Sequence, residues 1–116
     1  MMACMGMDVE LHSARPALSW KESRATFLRG CYGHQKALAD ALGSLYYLGV
    51  PGRLTSVDLY GDTVMNEQEA AVALTEVPGL KERCTDEKQR AALDDLAVIL
   101  KDCADTPGSY VWFAGD

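Results

Sequence analysis

The residues Ala92, Leu93, Leu96, Ile99, Leu100 and Cys103 recur at the three- and four-residue steps of one helix face. A stripe this wide cannot be left in water. It needs a second layer to lie on, so it limits the chain to folds in which a long helix packs on other elements. Thr85 is read as its N-cap, with Asp86 and Glu87 in the first turn, where negative charge is favoured. A second stripe precedes it: Ala70, Ala73, Leu74 and Val77, opened by Asn66 with Glu69 three residues on as a capping box. Pro78-Gly79 is expected to break that helix, with Leu80 to Cys84 adding a further turn.

The layer beneath is legible as strands. Met7, Val9 and Leu11 alternate with Asp8, Glu10 and His12, the period of a half-buried strand. Near the other end, Tyr110, Val111, Trp112 and Phe113 read as a strand after the turn D-T-P-G-S. Residues 54–65 are extended and turn-like, with a short strand at Thr63 to Met65. Ser19, with Glu22 as a capping box, predicts a helix whose face holds Trp20, Phe27, Leu28 and Cys31, kinked near Gly30 and Gly33. A further helix is predicted from Gln35 to Leu48, with Leu38, Ala41, Leu42 and Leu45 as its stripe and Gly49, Pro51 and Gly52 ending it. The predicted class is α+β: a small antiparallel sheet including the first and last strands, covered by three or four helices.

At 116 residues, with 48% hydrophobic and 24% charged, the chain is expected to be one domain, 1–116, in which residues 1–6 are a disordered or non-native start. No apolar run reaches the roughly 20 residues that span a bilayer, and M-M-A-C-M-G-M lacks the features of a signal peptide. The expected location is the cytoplasm. No pair among Cys4, Cys31, Cys84 and Cys103 has C-x-x-C spacing, and reduced thiols are expected. The net charge of −6 divides unevenly, +2 through Val57 and −8 from Asp58 onward. An acidic half disfavours nucleic acid and attracts basic protein surfaces.

The stretch S-V-D-L-Y-G-D-T-V-M-N is the first candidate site. Read as a calcium loop it places Asp58, Asp62 and Glu69 correctly, but Tyr60 and Thr63 occupy positions that need an oxygen ligand and a glycine. A looser metal or enzyme site would use Asp58, Asp62 and Asp116, with His12. The plainer reading is a tight turn at Gly61, carboxylates bonded to nearby amides, and a helix cap at Asn66. Cys31 and His34 share a predicted helix face and are the only Cys/His pair that proximity suggests, but no third orienting group is evident. G-C-Y-G-H-Q-K, with Gly30, Gly33 and Lys36, lacks phosphate-loop spacing. Of Tyr46-Tyr47 and Trp112-Phe113, one of each pair is expected in the core. No catalytic residue, metal or cofactor is assigned.

Residues 58–69, D-L-Y-G-D-T-V-M-N-E-Q-E, together with the final Y-V-W-F-A-G-D, resemble the middle and end of small bacterial proteins of unknown function. Those carry a Y-G-D-T-x-x-N step into a helix, a second helix and a short strand ending in Gly-Asp. The resemblance covers residues 54–116 and leaves 1–53 outside it. Small acidic proteins of this general kind resemble immunity proteins, which bind and block a toxin. The leading expectation is therefore a non-catalytic inhibitor, immunity-like or antitoxin-like, that occludes a basic protein partner. Its contact residues would be Asp58, Tyr60, Asp62, Glu67, Glu69, Glu76, Asp94, Asp95 and Asp102. The alternatives are the small enzyme or metal-binding protein above, and a structural subunit that pairs with a copy of itself as a homodimer.

Overall fold

The computed structural model describes residues 6–16, 22, 24–31, 33–49 and 52–115. Strand β1 (Met7–His12) is the organising element, because it is paired on both sides. Strand β4 (Tyr110–Gly115) runs antiparallel to it in register from Met7↔Gly115 to His12↔Tyr110. β2 (Phe27–Cys31) lines its other edge, and β3 (Asp62–Asn66) pairs with β4. The antiparallel sheet therefore has the order β2-β1-β4-β3, and with its helices it is the expected α+β arrangement. Alternation divides its faces. Met7, Val9, Leu11, Val111 and Phe113 are buried in the main core.

Three helices cover that face. α1 (Gln35–Leu48) has the predicted bounds, and Leu38, Ala41, Leu42 and Leu45 are buried. The chain leaves it through Gly49 at φ 67, the left-handed conformation that lets a helix end cheaply. α2 (Glu67–Arg83) starts directly from β3. Asn66 Oδ1 accepts the Glu69 amide at 2.8 Å, and Glu69 Oε1 accepts the Asn66 amide at 3.1 Å, a complete capping box. α3 (Glu87–Asp105) turns back along α2 and buries the full predicted stripe from Ala92 to Cys103.

Four local expectations are corrected. The helix expected from Ser19 to Cys31 ends in a strand: Phe27–Cys31 is β2, while Ser19 and Trp20 lie outside the described residues. Leu28 imitates helical spacing because a bulge opposite Leu11/His12 shifts the register, leaving it 50% exposed. Gly30 weakens a helix there, and the open edge of β1 offers the backbone a ladder instead. Second, α2 does not break at Pro78-Gly79. Pro78 is on the exposed side, and Val77 and Leu80 around it are both buried. Their burial outweighs the cost of about 3 kcal/mol expected of an interior proline. Third, the N-cap of α3 is Asp86, whose Oδ1 accepts the Lys88 amide at 2.7 Å, one residue beyond Thr85.

The fourth correction concerns the far face of the sheet. Most of the polar phase of β1 does not meet solvent: Glu10 is 3% and His12 0% exposed, and Asp8 is half-buried. Glu10 Oε1 accepts from Arg24 at 2.6 Å and lies 2.9 Å from His12 Nε2, while His12 Nδ1 lies 2.8 Å from Thr26 Oγ1. Arg24 stacks over Phe27 and Arg15 over Tyr110, so Arg15, Arg24 and Thr26 cover this face. Trp112 and Phe113 are consequently both buried, on opposite faces. No helix among the described residues is long and apolar enough to cross a membrane.

Candidate functional site

The Asp58–Asp62 turn is built by its own side chains. Asp58 Oδ1 accepts the Tyr60 amide at 2.9 Å, an Asx-type turn, and Thr63 Oγ1 accepts the Asp58 amide at 2.9 Å. The Gly115 amide donates to Gly61 O at 2.6 Å. A Cβ at position 115 would stand 2.6 Å from Leu59 O, so backbone requires a glycine there, while one at 61 would stand 2.7 Å from Asp58 Oδ2 and would displace that carboxylate. Asp62 Oδ1 accepts the Trp112 indole N–H at 2.9 Å, fixing the edge strand.

These bonds leave Tyr60 pointing out, 68% exposed, at the mouth of a cleft of about 810 Å³. The cleft lies between α1 and residues 55–60. Leu42, Val57 and Leu59 line it, with Asp40 and Asp58 among its polar groups.

The other expected contact residues are committed within the chain. Glu67 accepts the Gly108 amide at 3.1 Å. Glu69 closes the capping box and pairs with Arg53 at 3.0 Å. Glu76 accepts the amides of Arg53 and Leu54, both at 2.9 Å, and so holds residues 52–56 onto α2. Asp94 pairs with Lys81, Asp95 with His34, and Asp102 with Arg29. Asp58, Tyr60 and Asp62 share one turn, whereas Asp94 faces α2 and Asp95 and Asp102 face β2 and the start of α1. The looser metal set does not assemble among the described residues: Asp58 and Asp62 are bonded to amide and indole, His12 is buried beside Glu10, and Asp116 lies outside them.

Cys31 and His34 are not on one helix. Cys31 ends β2, and His34 sits in the turn that opens α1. Their missing third group is Asp95 on α3, hydrogen-bonded to His34 Nε2. Nothing near residue 31 in the sequence signals it, because the two segments meet only when α3 docks against β2. Burial, then the charges of Asp95 and Asp8, push the Cys31 thiol up, against a smaller opposing effect of the Gly33 amide. A nucleophilic cysteine needs the opposite shift. Lys36, the remaining phosphate-loop candidate, pairs with Asp40 at 2.8 Å.

Comparison with protein-family models, curated proteins and solved structures finds no match.

Proposed function

We propose that the protein is a non-catalytic binding protein that occludes a basic protein partner in the cytoplasm, in the manner of an immunity protein or antitoxin. The observation that carries this reading is Tyr60: a large aromatic, 68% exposed, on a turn rigidified by Asp58, Thr63 and Gly115, beside an apolar cleft. A pre-ordered tyrosine loses little entropy on binding and offers its face to an arginine or lysine. Asp58 and Asp62 flank it and would meet the partner's charge at the rim.

The remaining carboxylates have a different part in this reading. Glu67, Glu69, Glu76, Asp94, Asp95 and Asp102 lie outside this turn, so they act through the field of the −8 half, which steers a basic partner toward the turn. The working contact contracts from nine residues to the Asp58–Asp62 turn and the cleft.

The test is a pull-down from the native host with the purified chain at low and high salt. One basic partner, recovered at low salt and lost at high salt, is the expected result, because steering between charges is screened. Tyr60→Ala should weaken that binding at least tenfold, the loss typical of an anchor residue, and leave the thermal midpoint unchanged. Recovery of the chain alone at both salts would overturn the reading.

A further inference from the structure

Two segments far apart in sequence, the β2–α1 junction and α3, bring one sulfur, one imidazole and one carboxylate together. Cys31 closes β2, His34 lies in the turn before α1, and Asp95 projects from α3. One ligating atom from each lies within 4.8 Å of the other two. Four-coordinate zinc, with bonds of about 2.0–2.3 Å, holds its ligand atoms roughly 3.3–3.8 Å apart. Closing the set onto an ion therefore asks for a movement of about 1 Å, within reach of side-chain rotation. We propose that Cys31, His34 and Asp95 form a site for a divalent transition-metal ion of the zinc class, with its fourth position open to solvent. This proposal is independent of the partner-binding reading.

The donor set selects the ion class. A thiolate with an imidazole suits zinc or cobalt, whereas calcium and magnesium take oxygen ligands. Thiolate and carboxylate together carry two negative charges, which a divalent ion neutralises. Binding expels the thiol proton to water, and the His34–Asp95 hydrogen bond is exchanged for two metal bonds.

The surroundings fit a small ion with an exchangeable ligand. The cluster opens on a cleft of about 390 Å³, bounded by Arg29, Gly33 and Val98. Arg29 opposes a cation, but its guanidinium is paired with Asp102 at 2.5 Å. The ion would tie the β2–α1 junction to α3.

The test is titration of the reduced full-length chain with cobalt(II), read by visible absorption. The expected result is saturation at one equivalent, with a thiolate-to-cobalt charge-transfer band and the strong d–d bands of a four-coordinate ion. Cys31→Ser should abolish the charge-transfer band. His34→Ala and Asp95→Asn should each weaken binding by more than about tenfold, since even residues that only support a ligand cost that much. Cys84→Ser, in the link between α2 and α3, should leave the bands in place. Asp95 is exposed on a helix surface, so Asp95→Asn keeps the test decisive if Cys31→Ser fails to fold. Absence of the bands, their survival in Cys31→Ser, or affinity unchanged in both His34→Ala and Asp95→Asn would overturn the site.

Discussion

Glu10 and His12 stand two residues apart on the face of β1 turned away from the helices, and each satisfies the other. Glu10 also holds Arg24, whose side chain is about one-third exposed, so the carboxylate anchors the roof over this face of the sheet. Removing it would take away the carboxylate that the buried imidazole of His12 and the guanidinium of Arg24 both face. Glu10→Ala is therefore expected to cost about 3 kcal/mol, the scale for breaking a buried pair, measured as a shift in urea-denaturation stability. A loss under about 1 kcal/mol would mean that water reaches the pair and the roof is loose. Alternation along β1 placed both residues correctly on one face. It could not reveal that this face is covered, because the covering residues, Arg24 and Thr26, reach it only through the fold. The same limit hid Asp95. Its partner His34 is 61 positions away, and no local pattern carries that information.

Elements were legible where a local signal and tertiary burial agree. α1 and the apolar face of α3 follow directly from their stripes, and Asn66-x-x-Glu69 marks the start of α2. β2 was misread because Phe27, Leu28 and Cys31 carry helical spacing by accident of a bulge, and its ladder with β1 decides its state. Pro78 shows the converse: a strong local breaker overridden by Val77 and Leu80, both packed in the core. The capping box is where the local signal itself carries stability. It joins β3 to α2 without an intervening loop, and Glu69 also pairs with Arg53. Asn66→Ala removes the acceptor for the Glu69 amide and should cost about 1 kcal/mol. Asn66→Asp should retain most of that stability, since aspartate caps about as well. Equal losses in both variants, by thermal melting, would show that the strand-to-helix join does not depend on the cap.

At the scale of the whole molecule, α1 carries the chain from β2 at one edge of the sheet toward β3 at the other, and the α2–α3 hairpin returns it to β4. α3 is the shared support, touching α1, α2 and the sheet. Three thiols mark that docking. Cys31 lies where β2 meets α3, Cys84 in the link from α2 to α3, and Cys103 near the end of α3, where its sulfur accepts from the Ser109 hydroxyl. Burial is the largest cause in each case, and it pushes all three thiols above the ordinary value. The unfolded chain therefore gives up these protons first as pH rises. Their contribution to stability is complete below the ordinary thiol pKa of about 8.5 and declines as pH climbs from there through the raised folded-state values. Denaturation midpoints, taken with a chelator and reductant present, should fall across that alkaline range. Cys103→Ala, which removes the fully buried thiol, should flatten the fall relative to the parent chain while lowering stability at neutral pH by the lost packing. If the parent and Cys103→Ala profiles ran parallel, thiol ionisation would not be what loosens α3, and the alkaline loss would belong to other groups.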